Sequence, residues 1–371
     1  MSVNCGMIVE TLEKIAPQEL AESWDNIGLL LGRPQQIINR VLLALDITTA
    51  VVNEAIAVDA DMIVSHHPFP FRALKSIRTD TVEGAMIALL LKKDIAVYAA
   101  HTNLDSAAGG VNDTLASAFQ LTEVEPLQKA LQPLVKIVTF VPAGHEDSVW
   151  AAMSRAGAGN IGHYSQCSFR VAGKGTFFPE EGSQPFIGSR HQLATVDEVR
   201  LETIAPAELS GNIIQAMFAA HPYEDVAYDL YPLKNERLIG GMGRVGNLAA
   251  PISFRHFCEL VKQVLGVKKV RAVGDLGTQI QRVAVCGGSG MKIAQLARLS
   301  GAQVLLTGDI GYHDAQQADS AGLLLVDAGH YATEVPVLQF LKEYLRQQFA
   351  DINDGLVVSV ATQQADIWHF I

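Results

Sequence analysis

The feature that most constrains the fold of this chain is an internal repeat. Residues 40–65 and residues 282–307 each hold an apolar run of strand length, a sharp turn, a helix-period stretch and a second apolar run. Both segments span the same 25 steps along the chain, so they align without a gap. Each is typical of a β-α-β unit with a parallel strand pair. Strands that are apolar along their whole length also predict burial on both faces of a sheet.

A third apolar run extends the repeat. Residues 95–100 and 323–326 are each followed by a histidine with an acidic residue four positions later. We therefore predict an α/β fold of two pseudo-repeated halves packed together, with parallel-type sheets covered by helices. Residues 131–234 fit neither half, and their strand-helix-strand-strand-helix-strand order is typical of an inserted ferredoxin-like (βαββαβ) domain. Glycine-rich residues 234–251 are expected to form the return linker. The predicted domains are residues 1–130, 131–234 and 235–371.

Composition excludes several classes of protein. No apolar run reaches the roughly 18 residues of a membrane helix, and the N-terminus lacks the pattern of a signal peptide. Four widely spaced cysteines without a C-x-x-C pair favour reduced thiols over a disulfide framework. The net charge of −11, without a Lys/Arg-rich run, argues against a nucleic-acid partner. We expect a cytoplasmic protein that binds neither membrane nor nucleic acid.

Histidines and acids follow four predicted strands. In open parallel α/β sheets, ligands bind beyond the carboxyl ends of the strands, so these side chains are expected at one edge. Imidazole and carboxylate together suit divalent first-row metals. Taken one at a time, these motifs also have simpler interpretations. A His-His pair before proline is typical of a capped turn, and a histidine followed by an acidic residue four positions later is typical of a surface ion pair. The candidate ligands are His66, His67, His101, Asp105, Asp309, His313, His330 and Glu334.

Other motifs allow two interpretations. Gly287, Gly288, Ser289 and Gly290 lie between a strand and a helix, where they would either cradle a phosphate or form a tight turn. Asp46 lies at the matching turn of the first half, and we favour a helix cap over an acceptor for a ligand side chain.

Three further features stand outside the repeat. The Trp-Asp-Asn-Ile-Gly run of residues 24–28 would either wall a cleft or cap the first helix. His221, in a His-Pro-Tyr-Glu run, is expected to be structural. Cys286 ends a buried strand and is expected to be an inert thiol.

Over its whole length the chain resembles the Nif-three-like family, the GTP cyclohydrolase 1 type 2 homologs. The resemblance rests on Trp24-Asp25-Asn26-Ile27-Gly28-Leu29, Ser65-His66-His67-Pro68, His101-Thr102-Asn103-Leu104-Asp105, Thr307-Gly308-Asp309 with His313, and Asp327-Ala328-Gly329-His330 with Glu334. It implies two divalent ions, zinc first and iron or manganese as alternatives, held by His66, His67, Asp105, His330 and Glu334. Glu334 would bridge the ions, and His101 would lie beside them. It also implies that residues 131–234 are a domain similar to CutA and PII-type proteins, and that the chain forms a toroidal homohexamer.

The resemblance favours a metal-dependent hydrolase that opens the imidazole ring of GTP or acts on a related nucleotide. His101 and His313 are the candidates for proton transfer, and the Gly287–Gly290 turn is a candidate site for the triphosphate. A two-metal phosphoesterase or nucleotidase would use the same ions. A non-catalytic metal-binding adaptor or regulatory protein is the third hypothesis, because a fold does not by itself establish an activity. The residue types do not select one metal.

Overall fold

The computed structural model describes residues 2–351 and 356–369. The chain groups into two compact units, Met1–Ala130 with Ile239–Ile371, and Leu131–Leu238. The strands are β1 (Gly28–Leu31), β2 (Arg40–Ala44), β3 (Met62–Ser65), β4 (Ala96–Ala99), β5 (Thr122–Pro142), β6 (Phe169–Phe177), β7 (Ala194–Pro206), β8 (Tyr228–Ser253), β9 (Arg271–Val273), β10 (Gln279–Ser289), β11 (Val304–Gly308), β12 (Leu324–Asp327) and β13 (Val357–Val360).

The helices are α1 (Cys5–Ile15), α2 (Thr49–Ala57), α3 (Val82–Lys92), α4 (Thr102–Ser106), α5 (Val111–Ala118), α6 (Glu146–Arg155), α7 (Ser210–Ala220), α8 (Phe254–Leu265), α9 (Ala294–Leu299), α10 (Tyr312–Ser320), α11 (His330–Glu334) and α12 (Val337–Gln348). Several begin at a side-chain cap: Asn4, Thr48, Thr81 and Ser253 each accept a hydrogen bond from a backbone N–H of the first turn. None of the helices in the described ranges is both long and apolar enough to cross a membrane.

The first unit contains two sheets of similar design. In one, the strand order is β1-β4-β3-β2-β13, and β13, β2, β3 and β4 run parallel. In the other, β10, β11 and β12 run parallel beside β8 and β9. The strands β1, β8 and β9 pair antiparallel with their neighbours. The sheets are therefore mixed, with a parallel centre, whereas the sequence predicted sheets of parallel type.

The repeat seen in the sequence appears in the strand register. Val41 pairs with Met62 in one sheet, and Val283 pairs with Val304 in the other. Each residue of the second pair lies 242 positions after its counterpart in the first. The ungapped alignment therefore corresponds to equivalent strand pairs.

Both faces of the parallel strands are buried, as their apolar sequences predict. In β2, Val41 and Leu43 belong to one hydrophobic cluster and Leu42 and Ala44 to another. The strand β10 alternates in the same way between two further clusters. Because the strand interiors are apolar, polar groups are left to the strand ends.

The segment expected to be a linker is instead part of a strand. Residues 234–251 lie within β8, which runs from the second unit into the first. Its glycines allow close contact with other backbone segments: a Cβ on Gly240 would lie 2.4 Å from the Ser106 carbonyl oxygen, and one on Gly241 would lie 2.2 Å from that of Gln128. Glycine here therefore marks close packing of a strand. The segment carries the chain from the second unit back to the first, but as a regular strand and not as the irregular linker that was expected.

The second unit has the element order β5-α6-β6-β7-α7-β8. The strand β7 pairs antiparallel with both β5 and β6. Its hydrophobic core joins the strands to both helices, through residues such as Ile137, Met153, Leu201 and Met217.

Candidate metal centre

His66 and His67 follow β3 directly, at the carboxyl end of the central strand. His66 is fully buried, and its Nδ1 lies 2.8 Å from the Ala100 carbonyl oxygen. A carbonyl oxygen can only accept, so Nδ1 donates and the Nε2 of neutral His66 carries a free lone pair. His67 is held in the same way, with its Nδ1 2.8 Å from Asp46 Oδ1. Both imidazoles therefore present Nε2 as a ligand atom.

His101 follows β4 and is held by Asp25 from the start of the chain. Its Nδ1 lies 2.9 Å from Asp25 Oδ1, and Asp25 also accepts from the backbone and side chain of Thr102. Burial tends to raise the pKa of Asp25, but the bonds from His101 and Thr102 lower it to about 2. Asp25 is therefore ionised and fixes the ring of His101, a role for Asp25 that differs from both a cleft wall and a helix cap.

His330 and Glu334 lie on one face of α11, a single helical turn after β12. Four residues apart on a helix, their side chains are neighbours, and His330 Nε2 lies 3.1 Å from Glu334 Oε1. His330 Nδ1 is 2.6 Å from Asp309 Oδ2. A third imidazole is thus anchored by a carboxylate, again leaving Nε2 for a ligand role.

These side chains converge around the carboxylate of Glu334. Its oxygens lie 3.7 Å from His66 Nε2 and 3.2 Å from His67 Nε2, and Asp105 Oδ1 lies 3.6 Å from His66 Nε2. Three groups could each hold an ion: His66, Asp105 and Glu334; His67, His330 and Glu334; and His66, His67 and His101. All five ligands implied by the resemblance are therefore brought together, and Glu334 belongs to two groups.

The residues fit divalent cations on physical grounds. Within the described chain, three buried atoms of the cluster have no hydrogen-bond partner: His66 Nε2, Asp105 Oδ1 and Glu334 Oε2. Buried polar atoms of this kind are costly unless something satisfies them. In addition, His67 Nε2 and His330 Nε2 lie only 3.3 Å apart while both Nδ1 atoms face carboxylates. When both rings are neutral, two lone pairs at that distance repel, and a proton or a divalent cation between the two rings removes the conflict.

The protonation pattern reflects the same arrangement. Burial would lower the pKa of His67, but the carboxylates of Asp46 and Glu334 raise it to about 10. Glu334, followed by Asp309, raises the pKa of His330 to about 9. Burial raises the pKa of Asp105 to about 6 against the opposing effect of His66. Burial also favours neutral Glu334, but the surrounding histidines hold its pKa well below the usual value. Without metal, protons therefore occupy the cluster.

The glycine-rich end of β10 makes room for Glu334. At Gly288, where φ is +60°, a Cβ would lie 2.2 Å from Glu334 Oε1. The N–H groups of Gly287, Gly288 and Gly290 already donate to the side chains of Asn112, Thr333 and Thr307, respectively. These three donors are engaged within the protein, which argues against the phosphate cradle that was one of the two alternatives for Gly287–Gly290. Ser289 is the fourth residue of that motif and pairs with Gly308 in the sheet.

Two other predicted roles are corrected. His313 is exposed in the first turn of α10 and belongs to none of the three groups. Asp46 does not cap α2, because Thr48 accepts the capping bond from Val51 N–H; Asp46 instead holds His67.

His221 is buried with its Nε2 3.1 Å from the Phe140 carbonyl oxygen, as expected of a structural histidine. Burial raises the pKa of Cys286, consistent with an inert thiol.

A cleft of about 840 Å³ opens beside His67 and His330. Phe69, Phe71 and Tyr331 contribute to its walls, together with residues 363–368. That segment is fixed to the first sheet, since Gln364 Oε1 accepts from Leu45 N–H at 2.8 Å. The metal-ligand cluster is therefore open to small molecules on one side.

Fold and cluster define a mixed α/β protein of two sheets with a histidine-carboxylate site suited to metal. The chain belongs to the Duf34/NIF3 (NGG1p interacting factor 3) family, whose model matches residues 3–366. A Halalkalibacterium halodurans protein named GTP cyclohydrolase 1 type 2 homolog is 43% identical over 369 residues, covering 99% of each chain. A Bacillus subtilis protein of the same name is 45% identical over 90% of each chain. The crystal structure of a Bacillus cereus protein related to NIF3 matches at 42% identity, with a TM-score of 0.86 and full coverage of both chains.

Proposed function

We propose that this chain holds two divalent ions and that Glu334 bridges them. One ion would take His66 and Asp105, and the other His67 and His330. The unpartnered buried atoms of His66, Asp105 and Glu334 are the observation that carries this proposal. Zinc is the first candidate, with iron or manganese as alternatives, because histidine-carboxylate sets accept most first-row divalent ions.

We further propose that the centre is a metal-dependent hydrolase acting on a nitrogen heterocycle, with the purine ring of GTP as the first candidate. Two bound divalent ions supply Lewis acidity and lower the pKa of coordinated water. His101 stands within ligand-atom reach of His66 and His67, and Asp25 orients it. A histidine held in this way accepts a proton from water and returns it to a leaving nitrogen. The names of the relatives support the GTP assignment.

The test is to load the pure protein with Zn²⁺, Mn²⁺ or Fe²⁺ and to measure formate and ring-opened product from GTP. Glu334→Gln is expected to lose bound metal and all turnover. His101→Gln is expected to retain metal and lose 10²–10⁴-fold in kcat, the usual contribution of an acid-base group.

His313→Ala, which changes an exposed histidine outside the cluster, is the matched control and should behave as wild type. Turnover of both GTP and guanosine no higher than that of His67→Ala would refute the hydrolase proposal. Phosphate release without formate would favour the phosphoesterase. Tight metal binding without turnover across a nucleotide panel, together with recovery of a protein partner, would favour the adaptor.

For the second unit, we propose the inserted ferredoxin-like domain, similar to CutA and PII-type proteins, that the resemblance implies. The element order β5-α6-β6-β7-α7-β8 and the shared core of strands and helices support it. The toroidal homohexamer is likewise a proposal, supported by the resemblance. Light scattering coupled to size exclusion tests it: a particle of six chains is expected, and a monomer at micromolar concentration would contradict it.

A further inference from the structure

We propose that the metal cleft accepts a flat aromatic molecule without phosphate groups, such as a free heterocyclic base or a nucleoside, either neutral or cationic. The inference rests on the proposed function, since it assigns the substrate class of the same site. It departs from the nucleoside triphosphate that the names of the relatives suggest.

The first observation is the charge of the cleft. Four carboxylate residues line it, namely Asp46, Glu83, Asp309 and Asp366. Among the described residues that line the cleft, none is a lysine or an arginine. A triphosphate would therefore meet several like charges and no basic side chain in these walls, and such juxtaposition is costly.

Bound metal does not reverse this balance. Five carboxylates belong to the cluster or hold its histidines: Asp25, Asp46, Asp105, Asp309 and Glu334. Five negative charges exceed the four positive charges of two divalent ions. The loaded centre would thus retain no excess positive charge with which to attract a polyanion.

The position of Asp366 is fixed by the fold. The backbone N–H groups of Thr362 and Gln363 donate to Glu54, and Gln364 accepts from Leu45. Asp366 Oδ2 then lies 3.8 Å from the place that a Cβ on Gly329 would occupy, next to His330. This carboxylate therefore stands beside a metal ligand and acts as a selectivity determinant against anions.

The second observation is a pair of exposed aromatic rings beside His101. Trp24 and Phe71 are 58% and 49% exposed, with ring centroids 6.3 Å apart. Each ring centroid lies 5.9 Å from that of His101. Large apolar rings left open next to a polar site are suited to stacking on a planar ligand.

Basic side chains near the cleft do not contradict this picture. Arg72 and Lys75 follow Phe71 on an exposed segment but are not among the lining residues. Arg78 is paired with Asp80 at the surface. A phosphate-binding role for Arg72 or Lys75 would require that segment to fold over the cleft, and this provides an opposing hypothesis for the test.

The experiment is calorimetric titration of zinc-loaded protein with guanosine, GMP and GTP, which share one base and differ only in phosphate. Metal content is measured again after each titration, because GTP also chelates zinc. We expect guanosine to bind at least tenfold more tightly than GTP. Asp366→Lys should raise the affinity for GTP, relative to that for guanosine, at least fivefold.

Variants of the aromatic pair complete the test. Trp24→Ala and Phe71→Ala should each weaken guanosine binding at least fivefold, whereas Phe186→Ala, an exposed ring in the second unit, should not. Tighter binding of GTP than of guanosine, lost in Arg72→Ala or Lys75→Ala, would overturn the inference. So would failure of guanosine to bind at millimolar concentration. If guanosine binds in the expected order but no compound is turned over, the hydrolase proposal fails and the substrate-class inference stands.

Discussion

At the scale of single residues, the main feature is that each of four histidines is fixed through Nδ1. His66 is held by a backbone carbonyl, and the other three by Asp46, Asp25 and Asp309. Such partners select the tautomer and ring orientation of a ligand histidine and raise its basicity. The pairing of every ring explains why the cluster contains more carboxylates than two ions would need as ligands.

The Asp46–His67 contact gives a direct prediction. Asp46→Asn should weaken binding of one metal ion by 10- to 100-fold, because an amide orients His67 less strongly than a carboxylate does. Competition with a chromophoric chelator measures the affinity. Asp314→Asn, an exposed carboxylate of α10, is the control. Equal affinities in both variants would show that Asp46 has no influence on the metal.

Metal affinity should also rise with pH. In the metal-free protein the pKa values of His67 and His330 are raised to about 10 and about 9. Below those values the rings carry protons that an entering ion must displace. The apparent affinity should therefore increase steadily from pH 6 to pH 9, with proton release detectable by titration in buffers of different ionisation enthalpy. An affinity independent of pH in this range would contradict the assignment of these rings as ligands.

At the scale of secondary structure elements, the glycine-rich end of β10 leaves the space that Glu334 needs. Gly288→Ala should destabilise the protein by about 1–2 kcal/mol for the left-handed backbone and by about 1–3 kcal/mol more for the contact with Glu334. It should also abolish one metal site.

Gly322→Ala is the matched control for that substitution. Its φ of +77° is also left-handed, yet nothing lies within 4 Å of the added Cβ. Thermal or urea unfolding measures both variants. Equal losses of stability in the two would mean that the contact with Glu334 costs nothing.

Some elements could be predicted from the sequence, and others could not. The parallel strands β2, β3, β10 and β11 are apolar throughout, and their ungapped repeat fixes their pairing. By contrast, β8 carries charged residues and glycines and is exposed along much of its first half. Residues 234–251 of β8 have neither a long apolar run nor a period of two, so the sequence favours a linker there.

The candidate site, like the fold, was predictable only in part. His66 and His67 follow β3, and His101 follows β4. Because β3 and β4 are parallel, their carboxyl ends lie at the same edge of the sheet, and so do these three histidines. The partners of these histidines are remote in sequence: Asp25 lies 76 positions from His101, and Asp46 lies 21 from His67. No local pattern identifies such pairs. His313 was selected by motif and spacing alone, and the position of α10 leaves it at the surface.

At the scale of the whole molecule, metal would join the two sheets of the first unit. His66, His67 and Asp105 follow strands of one sheet, and His330 and Glu334 follow a strand of the other. Removing the ions should therefore lower stability by about 3–4 kcal/mol for each ion at ion concentrations 100 to 1,000 times Kd.

Scanning calorimetry before and after chelation checks this prediction. The chelated protein should unfold at a lower Tm, and re-addition of the metal should restore it. Glu334→Gln provides the control, since its Tm should be insensitive to the chelator. An unchanged Tm of the wild-type protein on chelation would show that the ions are not coupled to folding.

The origin of the ligands at both ends of the chain has a consequence for how the protein matures. His67 and His330, whose Nε2 atoms meet, are separated by 263 positions. A ribosome must therefore translate past Glu334 before both ligand sets exist, and a nascent chain that ends before His330 has only His66, His67, His101 and Asp105 to offer. Fragments that end before His330 would lack two of the five proposed ligands, so full metal occupancy would report that the chain extends past Glu334.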